Sequence, residues 1–158
     1  MIDIGPLCPA DRAAWEVLAR GYQSFYRTTV PDVGYEETWQ RVLSGQELHG
    51  IGARLDGNLV GIAHYLFHPT VWLADACYLQ DLFVDETARG QGAASALIER
   101  IAEVARDQGA SRLYWTTKQD NARARSLYDK VARFNGFIRY DYVLGQRPPA
   151  GRPQLARR

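Results

Sequence analysis

A glycine-containing loop in the middle of the chain has the spacing of an anion-binding cradle. Arg89-Gly90-Gln91-Gly92-Ala93-Ala94 follows an apolar run at Tyr78–Val84 and leads into a segment with helical periodicity. Glycines directly before a helix let several backbone N–H groups converge on a phosphate, and the helix dipole favours the negative charge. Arg89 adds a positive charge at the rim. The pattern therefore predicts a pyrophosphate cradle between a strand and a helix.

Two other phosphate-binding loops do not fit this segment. A Walker A loop requires GxxxxGK[ST], and no lysine follows the loop. A dinucleotide fingerprint requires GxGxxG and an acidic residue about 20 residues later, but Ser95 replaces the third glycine and Arg112 occupies the later position. The alternative to a cradle is an ordinary glycine turn that enters a helix.

A second block with recognisable spacing lies downstream. Asn121 precedes Tyr128 in NARARSLYDK, and Gly136-Phe137 follows after Lys130. The two blocks, with the preceding strand LFVD, resemble the GCN5-related N-acetyltransferase (GNAT) superfamily over about residues 2–144. The chain is also similar to a branch of small histone and polyamine acetyltransferases. It departs from the family pattern at 132–135, where extra residues separate Lys130 from Gly136.

The resemblance implies acetyl-CoA as co-substrate, a primary amine as acceptor and no metal. In the family the strand before the cradle is splayed to admit the pantetheine arm, and its backbone N–H groups stabilise the oxyanion. Asn121 corresponds to a residue that often binds the cofactor, with capping of its own helix as the alternative. The implied cofactor contacts are Leu82, Phe83, Val84, Arg89, Gly90, Gln91, Gly92, Ala93, Ala94 and Asn121.

Acetyl transfer of this kind needs a proton acceptor for the amine and a donor for the departing thiolate. A primary ammonium has a pKa of about 10.4, so its deprotonation at neutral pH costs about 4.6 kcal/mol. Thr116 stands where some family members have a glutamate, which leaves Asp81 as the predicted base, acting through water, and His64 in reserve. Tyr128 corresponds to the family's general acid. The alternatives are a structural role for Asp81 and core packing for Tyr128.

Aromatic residues and carboxylates crowd the first two predicted helices and the middle strands. Aromatic faces and negative charge suit a cationic amine, although core packing is the alternative for any single aromatic residue. We expect a small amine or polyamine as acceptor, with a peptide or protein amine as the alternative. The predicted acceptor contacts are Tyr22, Tyr26, Trp39, Trp72 and Tyr78.

Neither block contains a cysteine, so we expect direct attack in a ternary complex without an acetyl-enzyme. The competing hypothesis is a CoA-binding sensor or interaction module that kept the fold and lost catalysis. The absent glutamate at Thr116 and the lengthened segment near Asn135 favour that alternative. By analogy with the family, Ile138–Leu144 is a candidate contact for a homodimer.

Hydrophobic periodicity and turn residues indicate the elements that position these residues. Asp56-Gly57 between alternating runs predicts a tight hairpin. The order β-α-α-β-β-β-α-β-α-β predicts a single-domain α/β (α+β) fold, with a mixed, mostly antiparallel sheet flanked by helices. We predict strands at 2–4, 49–55, 59–67, 76–84, 112–117 and 136–144, and helices at 11–26, 36–43, 94–108 and 121–134.

Length and composition agree with one globular domain. The chain has 158 residues, 46% of them hydrophobic and 23% charged, and a net charge of +1, which argues against disorder and against nucleic acid or membrane partners. Four of the 19 basic residues and no acidic residue lie in the last 14, so we predict a domain at 1–144 and a flexible basic tail at 145–158. Two cysteines and no apparent signal peptide or apolar span predict a cytoplasmic protein.

Overall fold

Five strands form one sheet in the computed structural model, which describes residues 1–145. The strands follow one another in the sheet in chain order. The first four are antiparallel neighbours, and the fifth runs parallel to the fourth. The predicted mixed, mostly antiparallel sheet is therefore confirmed. The strands are β1 (Ile2–Pro6), β2 (His49–Leu55), β3 (Asn58–His68), β4 (Ala76–Val84) and β5 (Arg112–Tyr114).

Helices cover both faces of the sheet because both faces carry apolar side chains. The first two helices pack on one face around Trp15, Trp39 and Ile62. The third helix packs on the other face, where Leu97 and Ile101 are fully buried. The helices are α1 (Arg12–Phe25), α2 (Asp32–Ser44), α3 (Ala93–Asp107) and α4 (Ala122–Val131).

The hairpin between β2 and β3 turns at the predicted dipeptide. Asp56 and Gly57 have φ angles of 51° and 83°. A two-residue turn with positive φ at both positions matches the twist of the flanking strands. This turn sets the register between β2 and β3, in which Leu55 lies opposite Asn58.

The predictions for the last part of the domain were wrong. α4 ends at Val131 instead of continuing to Phe134, and residues 136–144 form no strand. Ala132 is extended, and the Asn135 side chain accepts the backbone N–H of Phe137, which makes a local turn beside Gly136 at φ +84°. Apolar side chains here are exposed, so burial provides no support for a strand; the predicted role of Ile138–Leu144 in dimerisation stays a prediction. The exposed residues are Phe134, Phe137, Ile138, Tyr140, Tyr142, Val143 and Leu144.

The predicted basic tail at 145–158 lies outside the described residues, except for Gly145. The boundary between domain and tail stays a prediction. Among residues 1–145, no helix has the length and apolar character needed to cross a membrane.

Candidate active site

A cleft opens where β5 separates from β4. The two strands pair only over Ala76–Tyr78 and Arg112–Tyr114, so β5 is shorter than the predicted 112–117. Beyond Tyr78, β4 therefore has no strand partner on this edge among the described residues. A cavity of about 500 Å³ extends along the free part of β4 and is closed by the start of α3 and by α4. It brings together the predicted cofactor residues except Gln91, which is exposed on the loop.

The loop before α3 has the geometry of an anion cradle. Gly90 and Gly92 have φ angles of 79° and 87°, which L side chains rarely adopt. No heavy atom lies within 4 Å of the Cβ position at either glycine, so the loop is open towards the cleft and solvent. The first backbone bond of α3 runs from the Ala96 N–H to the Gly92 carbonyl, which leaves the preceding N–H groups free of helical partners. These donors and the positive end of the helix dipole suit a diphosphate.

Arg89 fixes this loop to the end of β4. Its Nε donates to the Val84 carbonyl oxygen at 3.1 Å, and its guanidinium lies 3.3 Å from the Glu86 carboxylate. The guanidinium also lies 5.8 Å from the centre of the Phe83 ring. Arg89 thus supports the loop while remaining on the wall of the cleft.

The opposite wall of the cleft is α4, which carries Asn121 and Tyr128. The Asn121 side chain accepts the N–H of Ala124 at 3.3 Å and donates to Thr117 at 3.3 Å, so it caps α4 while lining the cleft. The Tyr128 ring packs edge-on against Trp115, 5.3 Å between centroids. Burial, and to a smaller extent the charge of Tyr26, raises the pKa of Tyr128 to about 12. Its hydroxyl is therefore a proton-bearing donor at neutral pH.

Asp81 lines a second, smaller cavity of about 60 Å³ beneath α1. A β-bulge directs it there: His64 lies opposite Asp81, and the next residue of β3, Tyr65, lies opposite Leu79, which leaves Gln80 as the extra residue of β4. Residues two apart on a regular strand share a face. Leu79 packs on the α3 side, whereas Asp81 lies beside α1, so the bulge moves the carboxylate to the other face of the sheet.

The Asp81 carboxylate has polar partners on two sides. Its Oδ2 lies 2.8 Å from Nδ1 of His64. Burial, and next the charge and hydrogen bonding of Asp81, raise the pKa of Tyr22 far above its usual value, so this hydroxyl stays protonated. Asp81 also raises the pKa of Tyr26, after the larger effect of burial. The carboxylate thus lies in a small pocket that Tyr22 also lines.

The two cavities share one wall, the ring of Phe83. The ring lies so close to α1 that a Cβ at Gly21 would be 2.8 Å from its Cε1 and Cζ atoms. Glycine inside a helix costs about 1 kcal/mol relative to alanine. The close approach of this ring explains why α1 has a glycine there.

Three of the five predicted acceptor residues lie elsewhere. The prediction for Trp39 was wrong, because its side chain is 3% exposed and packs on Trp15 in the core, with 5.1 Å between the ring centroids. The prediction for Trp72 was also wrong, because this residue is 91% exposed in the loop between β3 and β4 and lines neither cavity. Tyr78 stacks on Tyr114, away from both cavity walls. Tyr22 lines the Asp81 pocket and Tyr26 lines the larger cleft.

Sequence reasoning missed the part that side chains from distant elements play in the smaller pocket. Trp15 belongs to no motif of the sequence, and His64 is predicted from the sequence only as a reserve base. Their pairing depends on the packing of α1 against β3, for which the sequence carries no local signal. The bulge at Gln80 was likewise unmarked, since no glycine or proline stands there.

Comparisons with known proteins agree with this geometry. A model of the acetyltransferase (GNAT) family matches residues 15–134. The chain is 38% identical over 128 residues to the D-amino-acid N-acetyltransferase HPA3 of Saccharomyces cerevisiae, which covers 78% of this chain and 80% of that protein.

Two solved structures extend the comparison to the fold. The ribosomal-protein-alanine N-acetyltransferase from Brucella melitensis biovar Abortus 2308 has a TM-score of 0.74 and 25% identity, covering 91% of this chain and 99% of that one. The aminoglycoside N-acetyltransferase AAC(6')-Iy in complex with CoA has a TM-score of 0.72 over 95% of this chain and 96% of that one. The second is 19% identical, so it shows a likeness of fold alone.

Proposed function

This chain belongs to the acetyltransferase (GNAT) family and is an N-acetyltransferase, and from that premise we propose that it transfers the acetyl group of acetyl-CoA directly to the amine of a small molecule. The observation that carries the proposal is the shared wall at Phe83. On one side lies a cleft with free backbone donors, and on the other lies the carboxylate of Asp81. A thioester in the cleft and an amine beside Asp81 would meet at the edge of the Phe83 ring, where the two cavities adjoin.

Acetyl-CoA, when bound, supplies an activated acetyl group and a thiolate leaving group. The free N–H groups at the start of α3 and the glycines of the loop suit its diphosphate. The apolar surface of Leu82 and Val84 suits the pantetheine arm, and the unpaired edge of β4 offers N–H groups to the developing oxyanion. The residues present therefore fit this co-substrate.

Asp81 is proposed to receive the amine. Its charge attracts an ammonium ion, and the proton leaves the nitrogen for Asp81 or for water held against it. This step must offset about 4.6 kcal/mol at neutral pH. The free amine then attacks the thioester carbonyl carbon, the N–C bond forms, the nitrogen releases its second proton to water, and the C–S bond breaks to give the amide and the thiolate.

Tyr128 is proposed to stabilise the sulfur that leaves. Its hydroxyl is protonated at neutral pH because burial raises its pKa to about 12. A thiol has a pKa of about 8.5, so complete transfer of the proton from Tyr128 to the thiolate is uphill by about 5 kcal/mol. Tyr128 therefore acts by donating a hydrogen bond, and water supplies the proton that completes CoA.

A small amine fits the acceptor site better than a protein chain. The Asp81 pocket is only about 60 Å³ and is lined by residues of α1, α2, β3 and β4. The relative from Saccharomyces cerevisiae is named for D-amino acids, which are small amines. We therefore place amino acids and short amines ahead of polyamines and peptide amines as acceptors.

The proposal is tested by measuring CoA release with a panel of amines. The panel contains D- and L-amino acids, a lysine analogue, a diamine and a basic peptide, each with acetyl-CoA. We expect thiol release and N-acetylated product with at least one small amine and a sequential rate law. Binding of acetyl-CoA without thiol release on any amine would favour the sensor hypothesis.

A further inference from the structure

His64 is a buried polar residue whose two ring nitrogens both have partners. It lies on β3 opposite Asp81, and 8% of its surface is exposed. The indole Nε1 of Trp15 donates to Nε2 of His64 at 2.9 Å. Nδ1 of His64 lies 2.8 Å from Oδ2 of Asp81. The three side chains form a continuous hydrogen-bonded chain from the core under α1 to the small pocket.

The donor on Trp15 decides which nitrogen of His64 carries the proton. An indole N–H can only donate, so Nε2 accepts it through its lone pair. A neutral imidazole has one N–H, which is then on Nδ1 and is donated to Asp81. With a proton on Nε2, the N–H of His64 would point at the N–H of Trp15, and neither could accept the other's hydrogen bond. The pair with Asp81 is thus a hydrogen bond from a neutral ring to an anion.

We propose that His64 is a positioning residue for Asp81, locked as the Nδ1–H tautomer by Trp15. The part of Asp81 in catalysis rests on the proposed function. A neutral ring fixes Oδ2 without cancelling the charge of the carboxylate, so Asp81 presents a negative charge to an ammonium ion. An imidazolium at the same place would neutralise it. His64 is therefore not the base, because Trp15 occupies its one lone pair.

The other groups around the pair supply no ion pair to Asp81 among residues 1–145. Tyr22 from α1 and Tyr26 just after α1 are hydroxyl-bearing neighbours whose pKa values are raised by burial and by Asp81. Tyr78 on β4 makes the smallest of the contributions that raise the pKa of Tyr22. The ammonium of Lys118 lies beyond the Tyr26 ring, 5.7 Å from its centroid. The negative charge of the Asp81 carboxylate is therefore available to attract a cationic substrate.

The tautomer can be tested on the unaltered protein. Nitrogen chemical shifts of the histidine rings are measured by NMR at neutral pH. The resonances of His64 are assigned as those that are missing from the spectrum of His64→Asn. We expect a ring with the proton on Nδ1 and an unprotonated, hydrogen-bonded Nε2. An Nε2–H tautomer or an imidazolium at His64 overturns the proposal.

Two substitutions at His64 separate positioning from packing. His64→Asn keeps an N–H donor near the place of Nδ1, whereas His64→Leu removes it. We expect His64→Leu to lower kcat/KM for the amine about 10- to 100-fold, the worth of a hydrogen bond to a charged group. We expect His64→Asn to recover most of that loss, with the Kd for acetyl-CoA equal in both variants. Equal losses of kcat/KM, or a weaker Kd for acetyl-CoA, would assign His64 to packing alone.

Trp15→Phe tests the lock itself, because it frees Nε2 and keeps an aromatic ring. We expect the Nε2 resonance of His64 in this variant to lose the shift of a hydrogen-bonded acceptor, because its donor is gone. We expect kcat/KM for the amine to fall as well, since the ring is held less firmly against Asp81. An unchanged Nε2 resonance, or an unchanged kcat/KM, contradicts the proposal. If no amine reacts, the proposed function fails, while the NMR result still decides the tautomer.

Discussion

The two cavities on either side of Phe83 are built in different ways. The larger cleft takes most of its walls from the end of β4, the loop and the start of α3, which are contiguous in the chain, and the rest from α4 and the end of α1. The Asp81 pocket takes its walls from residues of α1, α2, β3 and β4, and 49 residues separate Trp15 from His64. Local sequence specifies the first, whereas sheet register and one bulge specify the second. A short motif can therefore reveal the proposed cofactor cleft and leave the proposed acceptor pocket hidden.

The sharpest test of this division is Asp81→Asn. Removing one partner of a close charge pair costs several kcal/mol, so we expect kcat/KM for the amine to fall about 100-fold or more. The Kd for acetyl-CoA, measured by calorimetry, should change by less than about twofold, because the carboxylate lines only the small pocket. A large loss of cofactor affinity would show that the two cavities act as one site.

Gly92→Ala tests the larger cleft, where backbone N–H groups of the loop before α3 are proposed to bind the diphosphate. The φ angle of 87° strains any residue with a Cβ, and that Cβ would enter the space where a diphosphate is expected. Losing one hydrogen bond to a charged group should raise the Kd for acetyl-CoA about 10- to 100-fold. Gly109→Ala is the matched control, since Gly109 also has positive φ and open space but lies at the far end of α3. Equal effects of both variants on the Kd would argue against the cradle.

Tyr128→Phe removes a single hydroxyl from the cleft. We expect kcat to fall about 10- to 30-fold, the worth of one hydrogen bond to a charged atom, while the Kd for acetyl-CoA stays nearly constant. Tyr114→Phe serves as the control, because that hydroxyl bonds His68 outside both cavities. An unchanged rate in Tyr128→Phe would remove the residue from the mechanism.

The smallest effect concerns stability at high pH. The pKa of Tyr128 is about 12 in the folded chain and about 10 in an unfolded one, so the unfolded state loses its proton first. The contribution of Tyr128 to the free energy of unfolding is thus complete below pH about 10 and falls by about 1–2 kcal/mol as the pH rises to about 12. Urea unfolding of Tyr128→Phe should show a shallower alkaline decline than the unaltered protein. Identical slopes would place the ring in a less buried environment.

The parts of the fold that follow from short-range rules could be predicted from the sequence. Asp56-Gly57 predicts a hairpin because the dipeptide tolerates positive φ, and the helical periodicity after the glycine loop predicts α3, on whose buried side Leu97 and Ile101 lie. The glycine loop before α3 was also predicted from the spacing of its own residues. Each of these features depends only on residues that are close together in the sequence.

The failures have a common physical cause, which is dependence on a distant partner. Residues 136–144 have a strand-like composition, but a strand forms only where another strand accepts its backbone bonds. Trp39 is predicted as an acceptor contact because it is aromatic, but its burial depends on how α2 packs on Trp15. The role of Asp81 as the base stays a prediction, and the bulge that orients its carboxylate has no signal in the sequence.

The close fit between Phe83 and Gly21 has a consequence for the size of compounds that the enzyme can accept. The ring has no room to retreat towards α1. An amine too bulky for the Asp81 pocket can gain space only if the Phe83 ring rotates into the larger cleft. There it would occupy volume that the thioester arm requires, so oversized compounds should compete with acetyl-CoA instead of reacting with it.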